Sequence, residues 1–483
     1  MKTQLLMPVR CLIFTFCYGS GAVIAETKVD DFFAMSPAEL AAIPVAIATG
    51  TPKPVFQSAA VTSVITAEQI KSMGATELHE ILETVPGVHA SLQESSYDYN
   101  YSMRGIRNTA NSQVLILLNG TRVTTAFRGT LMAGLELPVD AIARVEVIRG
   151  PGSALYGADA FAGVINIVTK KAGDINGTKV GVRAGDWNSQ STWGQQSAHW
   201  AGWDIATSLQ YQHTDGDDGR IINADSQTLF DTVLGTHASH APGALNTRYE
   251  TFNGHLNLQR KHWDIGLWAI SNNTGTRAGG ASALDPGGVT NGDQYLGDAR
   301  FSTEDWFDNW ELTAHASFLQ ADYLAEIQLF PDGATLPIGA DGNIKSPFSN
   351  NPLVFFPNGV NANIGRIERI PSIEVSSIYK GLDKHLLRLS SGFRYEEITA
   401  NESKNYGTGV IDGSQPVVGG TTTNVTGTSF VYLPDTHRSI WSLVMQDEWG
   451  IADNWQLTAG VRYDDYSDFG GTVNPRVALV WDI

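Results

Sequence analysis

The residue types that carry covalent or metal chemistry do not stand at spacings that could use it. His237 and His240 are three apart, with no third ligand type at a fixed spacing from them. Asp215-Gly216-Asp217-Asp218-Gly219 offers oxygens for calcium but lacks the distal Glu of a calcium loop, so a solvated loop is the competing reading. Gly150-Pro151-Gly152-Ser153 is followed by no Gly-Lys-Ser/Thr and reads as a structural turn rather than a phosphate cradle. The carboxylate neighbours Glu396 and Glu397, and Asp464 and Asp465, adjoin loop segments where water would solvate them. There is no Gly-x-Ser-x-Gly elbow and no His-Glu-x-x-His helix. The chain is therefore not expected to be an enzyme, and no cofactor or metal site is expected.

The elements around these residues point elsewhere. Only 17% of the 483 residues are charged, against roughly 25% in an ordinary soluble domain. The formal charge of −18 disfavours nucleic acid, whose phosphates need a basic footprint. Lys2 and Arg10, the apolar stretch 11–18 and Val23-Ile24-Ala25 read as an export signal cleaved before Glu26, with a short buried helix as the alternative. Cleavage would remove both cysteines, Cys11 and Cys17, leaving no thiol for a disulfide, zinc or nucleophilic catalysis. Loss of the two basic residues takes the net charge to about −20. Beyond the signal, no apolar run approaches the ~18 residues of a spanning helix, residues 114–118 being the longest. Spanning strands need only about 9–11 alternating residues each.

The chain divides near residues 170–174. Before that point helical and strand patterns mix, and after it the pattern is strands and loops almost throughout. Tight turns are expected at 201–202, 261–262, 305–309, 381–384 and 451–454, and long outer loops at 213–246, 274–292, 331–365 and 400–435. In residues 455–463, Trp455, Leu457, Ala459, Val461 and Tyr463 share one face, and Gln456, Thr458 and Arg462 the other. Trp200, Trp203, Trp263, Trp306, Trp310, Trp449 and Trp455 flank the tight turns, where an interfacial girdle would lie. A transmembrane antiparallel β-barrel is expected over 173–483, a secreted sandwich being the alternative. About twelve strands fit there, against about 22 in plugged transporters, so the barrel is expected to be C-terminally incomplete.

Residues 61–170 resemble the plug domain of TonB-dependent outer-membrane receptors. The matching stretches are 64–70, 74–78 running to Val85-Pro86-Gly87-Val88, Met103-Arg104-Gly105-Ile106-Arg107, 114–120, 142–157 and 162–169. Their local logic agrees. Thr66-Ala67-Glu68-Gln69 forms a capping box, and Leu78, Ile81, Leu82 and Val85 make one helical face stopped by Pro86-Gly87. Residues 114–118 are a buried strand turned by Asn119-Gly120, and 145–148 and 164–168 are strands. The expected fold is a small α+β plug domain (61–172) followed by the barrel, after an N-terminal periplasmic segment (26–60).

The resemblance implies TonB-dependent uptake across the bacterial outer membrane, with TonB of the inner-membrane energising complex and a small ligand as partners. A ferric siderophore is the first expectation, with cobalamin, haem or glycan, and a passive channel or adhesion barrel, as alternatives. The TonB-contacting segment would be Ile43, Pro44, Val45, Ala46, Ile47, Ala48 and Thr49, a short extended stretch able to add to a sheet edge, unless it is a simple tether. Two upward plug loops qualify for ligand contact: one with Gln93, Tyr97, Tyr99 and Tyr101, the other with Arg122, Phe127 and Arg128. Aromatics give broad contact at low entropy cost and Arg grips oxygen anions bidentately, while packing within the plug is the competing role. Arg104 and Arg149 match family arginines that pair with barrel glutamates, Glu448 being the suggested partner for a plug–barrel latch.

Overall fold

A computed structural model of the chain describes residues 44–45, 53–54, 57–92, 99–107, 110–131, 137–411 and 422–481. The plug begins with β1 (Thr62–Thr66), which runs directly into helix α1 (Ala67–Met73). The turn works because Thr66 Oγ1 accepts the Gln69 N–H while Gln69 Oε1 accepts the Thr66 N–H, closing both orphan donors of the helix start. Gly74, in the left-handed conformation, ends it. In α2 (Leu78–Glu83), Leu78, Ile81 and Leu82 are buried, and Glu80 reaches back to the Thr76 and Glu77 N–H groups. A hairpin follows, β2 (Val88–Leu92) with β3 (Tyr99–Met103).

The central plug sheet is made of β4 (Val114–Leu118), β5 (Thr121–Arg122), β6 (Ile142–Arg149) and β7 (Gly163–Thr169) with β1, in the order β1-β6-β7-β4-β5. All five β4 residues are buried, as befits a strand covered on both faces and paired in parallel with β7. Asn119 (φ 50°) and Gly120 (φ 82°) give the positive φ pair that a two-residue hairpin needs, joining β4 to β5.

Twelve long strands form the second sheet: β8 (Thr178–Gly185), β9 (Ser189–Trp200), β10 (Trp203–Thr214), β11 (Tyr249–Arg260), β12 (Trp263–Gly275), β13 (Val289–Phe307), β14 (Trp310–Phe330), β15 (Val360–Tyr379), β16 (His385–Lys404), β17 (Thr436–Ala452), β18 (Trp455–Tyr466) and β19 (Gly470–Trp481). Each pairs antiparallel with the next, so the spatial order is the chain order. Among the described residues, β8 and β19 are not neighbours and the sheet is open. Alternation is plain in β12, where Trp268 and Ile270 are buried against the plug and Leu267 faces outward, half-exposed. Aromatic residues crowd the short-turn end, with Trp263 against Phe301 at 5.0 Å, Trp310 against Tyr379 at 4.7 Å and Trp455 stacked on Trp481 at 5.2 Å.

The strands and loops depart from expectation in three places. Strands run up to 21 residues, so β13 continues through Phe307, past the turn expected at 305–309, and that turn shrinks to 308–309. The loop after β10 contains a helix, α3 (Ser226–Leu234), although only strands and loops were expected there. Asp225 caps it by accepting the Thr228 N–H at 2.9 Å, and Asp231 accepts the Ala238 and Ser239 N–H groups beyond its end. Finally, the loops share a core of their own. Phe230 of α3, Leu336 and Phe356 of the hairpin Ala334–Pro337 with Leu353–Phe356, and Ala283 are buried together. Asp225 Oδ2 accepts the Leu284 N–H and Asp285 Oδ2 the Gln328 N–H, stitching neighbouring loops into one head.

Candidate site at the plug apex and the barrel wall

Segment 119–127 of the plug lies along the inner wall from β13 to β15. From one end to the other, Arg300 donates to the Asn119 carbonyl (3.3 Å), His315 meets the Thr121 hydroxyl (3.2 Å) and Gln294 Nε2 donates to the Val123 carbonyl (2.9 Å). At the apex, Glu368 Oε2 accepts the N–H groups of Ala126 (2.7 Å) and Phe127 (3.2 Å). Glu368 is fully buried, and its other oxygen is paired with Arg366 Nε at 2.9 Å. Burying a carboxylate is tolerable only with such complete pairing.

Arg366 in turn lies over two rings, 4.0 Å from the centroid of Tyr323 and 4.8 Å from that of Phe127. Arg128 stands 5.5 Å from the same Phe127 ring. The barrel thus places a cation, a phenol and a carboxylate around the two plug residues, Phe127 and Arg128, that the sequence assigned to ligand contact. A flat, aromatic, oxygen-rich anion is the chemistry such a surface can recognise.

Below this set, one register row of the wall is apolar: Trp268, Leu296, Leu319 and Ile370 face one another across β12 to β15. All four are buried in the same cluster as plug residues Leu118, Val123, Leu137 and Ile142. The plug is held to this wall by an apolar seam as well as by hydrogen bonds.

The remaining expected site residues are placed as follows. Arg122 bonds Asp159 and the Thr124 hydroxyl. Asp159 also lies 3.7 Å from Arg394 of β16, which pairs with Glu396 at 2.7 Å, and Glu396 pairs with Arg438 of β17 at 2.6 Å. Burial alone would raise the Asp159 carboxyl, but the Arg122 and Arg394 guanidiniums more than offset this and hold it below the usual range. Burial lowers Arg122, with neighbouring Arg394 adding to that effect. Tyr101 is buried in the plug core, and Tyr99 stacks on His79 at 4.5 Å and neighbours Tyr101. Gln93 and Tyr97 lie outside the described residues. Of the TonB-contact segment, Pro44–Val45 forms a two-residue strand paired with Lys53–Pro54, while Ile43, Ala46, Ile47, Ala48 and Thr49 lie outside the described residues.

For the latch, Arg149 donates to the Pro86 carbonyl (2.7 Å) and the Ser63 hydroxyl (3.1 Å), both within the plug. Arg104 donates its N–H to the Gly87 carbonyl from a left-handed backbone (φ 52°). Glu448 is buried on the inner face of β17 and accepts from Gln446 Nε2 at 3.1 Å. The ion pairs described across the plug–barrel boundary are others: Asp159 with Arg394, Lys171 with Asp264 and Arg183 with Asp140. Arg462 and Arg476 of the barrel add bonds to the plug carbonyls of Leu155 and Ala59.

Sequence reasoning missed Arg366, Glu368 and Tyr323, although a signal was present. A basic residue two positions before an acidic one shares its strand face, and this pattern recurs as Arg144–Glu146, Arg366–Glu368, Arg394–Glu396 and Arg462–Asp464, each ion-paired at 2.7–2.9 Å. The paired charges mark that face as inward, since the lipid-facing side of a spanning strand is apolar, and Arg366 and Glu368 are both buried there.

Residues 54–164 match the family model described as TonB-dependent Receptor Plug Domain, and residues 185–483 match TonB dependent receptor-like, beta-barrel. A relative from Vibrio vulnificus (strain CMCP6), Vitamin B12 transporter BtuB, is 32% identical over 204 residues, which are 41% of this chain and 33% of that protein. The ferric citrate transporter FecA, in its unliganded form, superposes with a TM-score of 0.60 at 16% identity, over 89% of this chain and 61% of its own. The ferric enterobactin receptor PfeA from Pseudomonas aeruginosa gives 0.54 at 19% identity, over 86% and 59%. At these identities the structures establish the fold alone, and the chain spans about three fifths of their length. With both family models matched in order and the plug seated on the inner wall of the strand sheet, the chain belongs to the TonB-dependent receptors, a family of outer-membrane proteins built of a plug and a β-barrel.

Proposed function

We propose that the protein imports a scarce ligand across the outer membrane by TonB-dependent active transport, and that the ligand is a ferric siderophore. One observation carries this reading: Glu368 and Arg366 fix Phe127 and Arg128 at the plug apex as a cationic, aromatic surface. A passive channel would gain nothing from a plug anchored so firmly to its wall. Anionic chelates with catecholate or carboxylate oxygens suit that surface, with Arg supplying charge and Phe127 and Tyr323 supplying faces. The solved relatives include receptors titled for ferric enterobactin and ferric citrate. Cobalamin is the second reading, favoured by the Vibrio relative titled as a vitamin B12 transporter. Coupling would run through residues 43–49, exported by the N-terminal signal into the periplasm, where TonB would add a strand.

The test is uptake by cells whose sole receptor is the full-length protein, offered radiolabelled ferric siderophores of catecholate, carboxylate and hydroxamate type and, separately, cobalamin. Val45→Pro removes a backbone donor from strand pairing and is expected to abolish accumulation while binding persists. Accumulation of cobalamin alone would replace the siderophore reading. Accumulation of none of these ligands, or uptake unchanged in Val45→Pro, would overturn the proposal as stated.

A further inference from the structure

The outer surface of the sheet carries a groove of about 430 Å³ across β10 to β14. Its floor is low where Gly254 and Gly297 have no side chain, and Ala269 adds only a methyl group. Leu209, Leu256, Leu267, Tyr295 and Phe318 form its walls. Register explains the shape: Leu209, Gly254, Ala269 and Tyr295 form one row, and Leu256, Leu267, Gly297 and Phe318 the next. These side chains point away from the plug, and Leu267, Tyr295 and Phe318 are exposed. The groove therefore opens on the face that the family turns toward lipid.

Its height follows from the strands. Leu209 and Leu256 lie six and four residues from the strand ends at Trp203 and Arg260, and Leu267 and Ala269 lie four and six from Trp263. At about 3.4 Å per residue and a tilt of 35–45°, that is roughly 10–17 Å above the aromatic girdle, near the middle of an apolar band about 25 Å tall. Directly below, on the same outward face of β11, stands Arg260, exposed and with its guanidinium 5.9 Å from the Trp203 ring centroid. Lys261 follows it in the turn. The column Arg260, Leu258, Leu256, Gly254 thus runs from a basic, aromatic level at the short-turn rim up to an uncharged groove.

We propose that this column is a binding site for one phospholipid of the periplasmic leaflet, its phosphate held by Arg260 at the Trp203 girdle and one acyl chain lying in the groove. The occupant is set by charge and by continuity with the bilayer. A basic side chain at headgroup level matches a phosphate, and an apolar groove at chain depth matches a hydrocarbon tail. Lipopolysaccharide would have to present its phosphates at the opposite rim, a full apolar band away from Arg260.

The full-length receptor, reconstituted in nanodiscs of phosphatidylethanolamine and phosphatidylglycerol and released into mild detergent, is weighed by native mass spectrometry. The wild type is expected to retain one phospholipid per chain. Gly254→Leu with Gly297→Leu fills the groove and should abolish retention. Arg260→Gln should weaken it about fivefold, the ratio corresponding to the ~1 kcal/mol of one basic side chain at an anionic surface. Heat-modifiable gel migration reports that each variant is folded. If the double variant fails to fold, Gly297→Val occupies the same space, since a Cβ there has 3.6 Å to Leu267. A wild type without retained phospholipid, retention equal in the groove-filled variant, or, in a second reconstitution with lipopolysaccharide added to the nanodiscs, lipopolysaccharide as the only retained lipid would overturn the site. None of these outcomes depends on what the receptor transports.

Discussion

Replacing Glu368 by Ala should free the plug apex from the barrel wall. The side chain has no exposed surface, while that of Arg366 is 8% exposed, so removing the carboxylate strands a buried guanidinium and leaves the Ala126 and Phe127 N–H groups without their acceptor. Breaking one partner of a buried pair costs about 3–5 kcal/mol, and the two hydrogen bonds are part of that figure rather than additional to it. Hydrogen exchange of the intact receptor reads the loss directly. Each 1.4 kcal/mol is a factor of ten, so protection at residues 126–127 should fall by roughly two to three and a half orders of magnitude, while the buried strand β4 changes little. Arg366→Met separates charge from shape, because it keeps an apolar stem against Tyr323 and Phe127. Combined with Glu368→Ala, it should restore part of the protection, a coupling of about 1–3 kcal/mol. Unchanged protection in Glu368→Ala, or strict additivity in the double variant, would refute the account of the apex as a charge-clamped element.

Three further outcomes are expected. Asp231 is held below the usual carboxylate range because hydrogen bonds from Thr236, Ser239, Gln227 and Ala238 outweigh the raising effect of its burial. Its stabilisation of the outer loop head is thus complete above the unfolded pKa of about 3.9 and fades as pH falls below it, so protease nicking of residues 225–240 should increase below about pH 4 and not between pH 5 and 8. Gly163→Ala should destabilise the plug by about 1–3 kcal/mol, because its Cβ would sit 2.1 Å from Met103 Sδ and 2.3 Å from the Ile148 carbonyl; urea-dependent exchange at β7 measures it. Asp159→Asn should lower the urea concentration at which the plug detaches, since Arg122 and Arg394 would face each other with one negative charge fewer; limited proteolysis of the plug under urea follows this.

Local chemistry was the legible part of the sequence. Thr66 and Gln69 announce a helix start, Asn119-Gly120 a hairpin, and the tryptophans beside the tight turns a membrane interface, each because a few adjacent residues fix the geometry. Helix α3 was legible but overlooked, since Asp225 three residues before Thr228 is a capping pattern and Phe230 and Leu234 supply an apolar side. The strand ends were not legible. Asp305, Asp308 and Asn309 carry turn-like polarity around Trp306, yet β13 continues until Phe307 pairs with Trp310. The apex clamp was the least legible, because Glu368 meets a loop some 240 positions earlier in the chain and only barrel register decides which inward carboxylate arrives there. Arg149 shows the converse: a motif located the residue, but its hydrogen bonds go to Ser63 and Pro86 within the plug.

A plug that fills a barrel also has to seal it, and the row Trp268, Leu296, Leu319 and Ile370 turns an apolar face of the wall toward the plug. Where Trp268 of that row meets Leu118, Leu137 and Ile142, the space left is about 10 Å³, room for at most one water molecule. A file of water needs partners at every step; Leu296, Leu319 and Ile370 offer none, and the indole N–H of Trp268 is already donated to Asn253. The seam is in this sense a gasket, sealing the wall against leakage by the same contacts that seat the plug. A single Leu296→Asn change would wet it, and would be felt first as leakage of ions and small solutes rather than as a failure of uptake.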